Sequence, residues 1–438
     1  MGKGFAGRIT RAHVVGILLV AALLLGGGGS PNREAELVLQ CVFAGGIAAW
    51  FLVLDDGGRP PRATWYIATL MLGVPLLQLV PLPPSIWTAL PGRAPAMEAL
   101  AVVDAASSWR PLSIAPIRTV GALAALVPAC ALFLMTASLP PERLRPLLRI
   151  VGIAGLACVG IGAVQLASGM KPYPDAHPGW LTGLFANRNA AADLLLVAAL
   201  VWGVRATGPG AHRPLCYSAC AVCVAGVLAT GSRAGIALIP VVAAALAFRW
   251  RPVSPKRALV AAAVPAAGVL LLLVSPLASR LAPRFATFAD ARPDLWFDSW
   301  VAAKAFWPAG AGMGAFVPAF LLHERDSVID ASHPNRAHND YLELLVETGL
   351  LMPILLLVPA ILLLRAWRAG WVSHARYRDV LVVVAGSLVI LALHSIVDYP
   401  LRNMALSCLT GFFSGCAFAI AGARRRRSGE VAAPRGWI

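Results

Sequence analysis

The segment His338-Asn339-Asp340-Tyr341, followed by Glu343, Glu347 and Gly349, concentrates more reactive side chains than any other part of the chain. It joins a long hydrophilic stretch to an apolar run. A helix starts with unpaired backbone N–H groups, and Asp340 is a suitable partner for them. The positive end of a helix favours a neutral imidazole, which makes His338 a candidate general base. An interfacial polar cap fits the same residues equally well.

Arg233 lies in Thr230-Gly231-Ser232-Arg233, a tight turn between two apolar runs. An Arg so close to hydrocarbon is expensive and usually has a partner. Its planar fork suits a diphosphate, and snorkelling to the interface is the alternative. Arg188, flanked by Asn187 and Asn189 at another apolar boundary, is a second candidate for lipid phosphate or glycan. His394, Asp398 and Arg402 fall near the end of an apolar run, and an Asp398–Arg402 pair around Pro400 is expected as a structural clamp. Glu34 and Glu36 form an acidic pair in which solvated loop acids outweigh metal ligands. Gly310, Gly312 and Gly314 have no following Lys-Ser/Thr, so they read as a turn and not as a phosphate loop. Cys220 and Cys223 lack the second pair or histidine that a zinc site needs.

These residues are embedded in a chain whose composition fixes its surroundings. Of 438 residues, 58% are apolar and 13% charged, and the mean hydropathy is +0.73. A water-soluble protein of this length needs far more charge. The apolar residues also gather into runs of the roughly 20 residues that a spanning helix requires. Twelve spans are expected, near 13–29, 37–54, 64–81, 118–138, 147–168, 188–206, 214–230, 234–250, 258–275, 345–366, 379–397 and 404–422. Lys3, Arg8 and Arg11 precede the first run, which reads as an uncleaved span.

The net charge of +16 would suggest nucleic acid in a soluble chain. Here the basic residues occupy short gaps between apolar runs, and no basic stripe is interleaved with aromatics, so nucleic acid is excluded as a partner. With the N-terminus in the cytoplasm, 23 of the 37 basic residues lie in short inner loops and tails. The positive-inside rule therefore puts both termini in the cytoplasm. The chain divides into a bundle of about nine spans over 1–275, an outer loop over 276–344, three further spans over 345–422 and a basic tail over 423–438. Trp296, Trp300 and Trp307 share a helical face of the loop, as an interfacial anchor or as a platform for sugar rings.

The pattern His338-Asn-Asp-Tyr-x-x-x-x-x-Glu347-x-Gly349 resembles the signature of the O-antigen ligase and polymerase superfamily. Other stretches match it in order: Arg110–Thr119, Phe185-Ala-Asn187-Arg188-Asn189, Thr230-Gly-Ser-Arg233, Arg292-x-x-Leu-Trp296 through Gly310–Phe316, and His394-Ser-Ile-Val-Asp398-Tyr-Pro-Leu-Arg402. The resemblance implies an all-α, polytopic, GT-C-like membrane protein with one large structured periplasmic loop. It implies an inverting glycosyltransferase of the bacterial inner membrane, without metal or other cofactor. Such an enzyme moves a glycan from undecaprenyl diphosphate to the hydroxyl of a lipid or glycan acceptor on the periplasmic face. By resemblance His338 is the base, and Arg233 and Arg292 hold the diphosphate. Asn187, Arg188, Asn189, Asp340 and Arg402 are expected to bind substrate. Ligation to a lipid A core, polymerisation of repeat units and protein glycosylation all fit this chemistry. A lipid-linked glycan transporter is the alternative from another class. It would favour internal repeats and midplane charges, whereas the polar residues here gather at the outer face.

Overall fold

The computed structural model describes residues 10–28, 33–52, 58–170, 173, 179–249, 292–329 and 334–423. The expected span 258–275, the start of the large loop, His177, His333 and the basic tail from residue 424 lie outside the described residues.

The described chain is helical apart from one antiparallel pair of two-residue strands, β1 (Pro81–Leu82) and β2 (Arg110–Pro111). In order, α1 is Arg11–Leu25, α2 Arg33–Leu52, α3 Arg62–Gln78, α4 Pro84–Trp87, α5 Ala94–Ala101, α6 Pro116–Ala137, α7 Leu144–Ser168, α8 Arg188–Arg205, α9 Arg213–Ala229 and α10 Arg233–Arg249. After the undescribed stretch come α11 (Arg292–Ala305), α12 (Phe316–Leu321), α13 (Asp340–Thr348), α14 (Leu351–Ser373), α15 (Arg378–His394) and α16 (Met404–Ala421).

Among the described residues, six stretches are long and apolar enough to cross a membrane: Glu34–Leu52, Pro116–Ala137, Pro141–Ser168, Leu351–Ser373, Ala375–His394 and Met404–Ala421. Helices α1, α3, α8, α9 and α10 also coincide with expected spans but are shorter or less apolar. Helix α8 has a physical reason to differ. It is enclosed by α7, α9, α10 and α15, and every residue from Ala190 to Val201 is buried. A helix surrounded by protein can carry Asp193, which a lipid-facing helix could not. Helix α16 plays the matching role against α1, α6, α14 and α15.

One expectation is corrected. The span expected over 345–366 begins at Leu351 instead, because the chain breaks at Gly349 (φ +52°) and separates the short α13 from α14. A Cβ at Gly349 would stand 2.1 Å from the Pro308 carbonyl oxygen, so the break needs a residue without one. Trp307 also lies beyond the end of α11, outside the helical face shared by Trp296 and Trp300. Trp300 and Trp307 are exposed, while the Trp296 indole donates to the Ala337 carbonyl at 3.0 Å.

The two ends of the bundle differ. At one end, Arg145 bonds Asp379 at 2.8 Å, Arg376 pairs with Glu142, and the Gly58 N–H donates to Ser138 O. At the other, the chain after α1 meets the entries of α8 and α16, with Ala186 N donating to Gly27 O and Ala405 N to Gly26 O. This second end carries all the residues singled out for chemistry.

The connecting segments at this end pack together. Phe306, Phe316, Phe320, Ala302 and Val346 form a small apolar core of their own. The glycine-rich turn 310–316 is stitched to the segment 110–119: Ile114 N donates to Ala311 O at 2.9 Å, and Thr119 Oγ1 to Met313 O at 2.7 Å. Arg93 is buried beneath them and donates to Leu112 O (2.6 Å) and Gly310 O (3.1 Å). Gly312 sits at φ +108° with a Cβ position 2.3 Å from Ser113 Oγ. The two motifs thus explain one another as the two halves of a close backbone contact.

Candidate functional site

Helix α13 presents Asp340, Glu343 and Glu347 on one face, at the i, i+3, i+7 spacing of neighbouring turns. All three are buried, and they surround the Arg402 guanidinium. Arg402 Nη2 lies 2.8 Å from Glu347 Oε2, and its Nε lies 3.4 Å from Glu343 and 3.6 Å from Asp340. Arg336 adds a second cation on Glu343, at 2.9 Å. Buried charges are tolerable when paired in this way. Burial alone would raise the Glu343 carboxyl, but Arg402 and Arg336 outweigh it and hold the group below its ordinary value. Asp340 is pushed up to about 7, chiefly by burial.

The expected Asp398–Arg402 clamp is therefore corrected. Arg402 turns inward to the acids of α13, because three buried carboxylates attract it more strongly than one. Asp340 and Arg402, expected to meet substrate, are occupied by protein groups instead. Asp340 Oδ2 accepts from Ser395 Oγ (2.9 Å) and from Leu401 N (3.0 Å), while its own N–H donates to Ser395 O at 2.9 Å. These bonds pin the start of α13 to the connection 395–403.

That connection carries Asp398, and the pin brings it to His338. His338 Nδ1 and Asp398 Oδ1 are 2.9 Å apart. The His338 backbone has φ +48°, a conformation that costs a non-glycine residue about 1–3 kcal/mol. It sits just before Asn339, whose side chain caps α13 by accepting from Leu342 N at 3.0 Å. Tyr399 packs edge-on to the imidazole, with centroids 4.9 Å apart. The His338 side chain keeps 33% of its surface exposed while Asp398 keeps 4%. Burial opposes the Asp398 charge, but the hydrogen bond from His338 and the charges of His338 and His394 outweigh it. Its carboxyl therefore stays below the usual range. An ionised Asp398 accepts a hydrogen bond from the Nδ1–H of His338, which leaves the Nε2 lone pair for an incoming hydroxyl. The pairing was not foreseen from sequence, since sixty residues separate the partners.

Asn187 and Asn189 also serve the frame. Asn187 is the N-cap of α8, accepting from Asn189 N at 2.8 Å, and its amide reaches Tyr399 Oη at 3.4 Å. Asn189 Nδ2 donates to the second oxygen of Asp398 at 2.6 Å. Asp193, one turn further along α8 and not singled out from sequence, meets His394 at 2.6 Å. Its signal was available as a single acid inside an apolar run.

The candidate phosphate-binding arginines gather around the same end of α8. Arg188 opens α8 and lies 5.7 Å from the Trp180 ring. Trp180 also covers Gly231 of the Thr230–Arg233 turn: its ring would stand 2.3 Å from a Cβ there. Ser232 Oγ accepts from Gly235 N at 3.1 Å and caps α10, with Arg233 at its first position. Helix α10 touches α8 where Gly235 faces Ala192. Arg292, at the start of α11, is within electrostatic reach of His394. All three arginines are partly exposed.

Glu34 is exposed on the first turn of α2, and Glu36 stands within electrostatic reach of Arg336. Among the described residues, no three His, Cys, Asp or Glu side chains cluster as metal ligands.

The O-antigen ligase family model matches residues 218–357, a stretch that runs from α9 through the site loop to α14. No curated protein matches the chain. The matched stretch includes Arg233, Arg292 and His338, and the described residues hold six helices long and apolar enough to cross a membrane. The match over residues 218–357 supports the resemblance to the O-antigen ligase and polymerase superfamily and, at the general level, a membrane enzyme of the glycosyltransferase type.

Proposed function

We propose that this protein transfers a glycan from undecaprenyl diphosphate to an acceptor hydroxyl at the periplasmic face of the inner membrane, with His338 as the general base. The observation that carries this reading is the 2.9 Å His338–Asp398 couple, with a partly exposed imidazole at the arginine-rich end of the bundle.

The acceptor oxygen attacks the anomeric carbon as the bond from that carbon to the diphosphate oxygen breaks. The acceptor proton passes to His338 Nε2, and Asp398 stabilises the imidazolium that forms. A single displacement inverts the anomeric centre. The diphosphate leaves as an anion, so it needs positive charge more than a proton. Arg233 and Arg292, with the positive helix ends of α8 and α10 and Arg188 beside them, are suited to supply it without a metal. Ligation to a lipid A core is one form of this transfer. Repeat-unit polymerisation and protein glycosylation use the same chemistry with another acceptor.

The test is transfer by the purified protein from an undecaprenyl-diphosphate-linked oligosaccharide to lipid A core. His338→Ala is expected to lower kcat by about 10²–10⁴ and leave donor binding near normal. Full turnover by His338→Ala would overturn the assignment of the base.

A further inference from the structure

Asn189 and Asp193 stand one turn apart on the same face of α8. His394 and Asp398 stand one turn apart on the opposing chain, where Asp398 N donates to His394 O at 2.9 Å. Two polar links therefore cross between them: Asn189 to Asp398 and Asp193 to His394, both at 2.6 Å. The first continues to His338. The second is sealed, with side-chain exposures of 1% for Asp193 and 0% for His394. Among the described residues, His394 Nε2 has no hydrogen-bond partner.

Helix packing does not account for such a pair. Two apolar side chains of similar volume would hold α8 against α15 without the cost of burying a carboxylate and an imidazole. The pair does have an electrostatic neighbour that would feel it. The Asp398 carboxylate lies within electrostatic reach of both Asp193 and His394, and Arg292 also acts on His394. A charge or hydrogen bond altered at Asp193 is thus passed to the group that orients the base.

We propose that the Asp193–His394 pair is a positioning device for the base: it fixes the turn that bears Asp398 and thereby aims the His338 imidazole. This rests on the glycosyl-transfer reading above. Neither residue touches substrate, so the expected signature is a loss in turnover with unchanged donor affinity.

The test uses full-length protein in nanodiscs, with an undecaprenyl-diphosphate-linked oligosaccharide and lipid A core as probes. Asp193→Asn and His394→Gln should each lower kcat roughly tenfold, a size typical of coupled neighbouring residues, with the donor KM within about twofold. The reversed pair, Asp193→His with His394→Asp, should recover most of that loss. Asp193→Asn added to Asp398→Asn should cost little more than Asp398→Asn alone. If Asp193→Asn fails to fold, His394→Gln and the reversed pair decide the matter through the same kcat and KM split. Unchanged kcat in folded variants, a loss confined to KM, full additivity with Asp398→Asn, or no recovery on reversal would each overturn the proposal. Absence of transfer by the unsubstituted protein, or full transfer by His338→Ala, would instead overturn the glycosyl-transfer reading and this inference with it.

Discussion

Replacing Asp398 by Asn tests the site at its most exposed assumption, that a carboxylate and not merely a hydrogen-bond acceptor orients His338. The substitution keeps shape and removes charge. Asp398 now accepts on both oxygens, from His338 Nδ1 and from the Asn189 amide at 2.6 Å. An Asn has one oxygen, so it satisfies one neighbour and presents an NH₂ to the other. If the NH₂ faces His338, the imidazole is held with its proton on Nε2 and can no longer accept one. If it faces Asn189, the base keeps its tautomer but loses the carboxylate that stabilises the imidazolium. With charge centres about 4 Å apart and an effective dielectric near 20, that stabilisation is about 4 kcal/mol. Solvent at the one-third exposed imidazole reduces it to about 2 kcal/mol. These figures bracket a loss of roughly 30- to 1000-fold in kcat. The assay is steady-state transfer with lipid-linked donor, with kcat and KM measured separately and size-exclusion profiles confirming the fold. An Asp398→Asn enzyme within threefold of the parent would refute the role of the carboxylate.

Three other outcomes are expected. Arg233→Lys and Arg292→Lys keep the charge but lose the bidentate fork, so the donor KM should rise about tenfold at each; an unchanged KM at either would remove that residue from diphosphate binding. Asp340→Asn should flatten part of the pH dependence of thermal stability. With the folded carboxyl near 7 and the unfolded one near 3.9, the unfolded chain releases its proton first, so stability falls as pH rises through that window, by at most about 4 kcal/mol. Identical pH slopes for parent and variant between about pH 4.5 and 7.5 would contradict the buried-acid assignment. Gly312→Ala forces a Cβ at φ +108° to within 2.3 Å of Ser113 Oγ, and should cost about 2–4 kcal/mol; a melting temperature equal to the parent's would show that the turn can relax.

The helices were legible because apolar runs impose them. Eleven of the expected spans coincide with helices in the described residues, displaced by several residues at most. The short break at Gly349 was hidden, since an apolar sequence continues on both sides and only the close approach of Pro308 demands a glycine. The site was legible in its parts and not in its pairings. His338, Asp398 and Asn189 were each conspicuous, yet which carboxylate serves which cation depends on depth. Spacing suggested Asp398 with Arg402, four residues apart. The fold supplies Arg402 with three buried acids and leaves Asp398 to His338, a choice made by desolvation across sixty residues of chain.

The charge balance of the α13 cage explains how a strained base can be held still. Among the described residues, Asp340, Glu343 and Glu347 face two cations, Arg402 and Arg336. Full ionisation would leave one negative charge in excess inside a closed site, at a cost that burial makes large. Asp340 relieves it: with its carboxyl pushed up to about 7, it can retain a proton near neutrality while Glu343, held low by both arginines, stays charged. The cage can then approach neutrality without losing hydrogen bonds, because Asp340 still accepts from Ser395 and Leu401. Those bonds join α13 to the turn that bears Asp398. The left-handed backbone of His338 is thus anchored on both sides, by the capped helix that follows it and by the carboxylate that faces its ring. Its conformational cost of about 1–3 kcal/mol is offset by contacts outside the reacting atoms, which leaves Nε2 aimed before any substrate arrives.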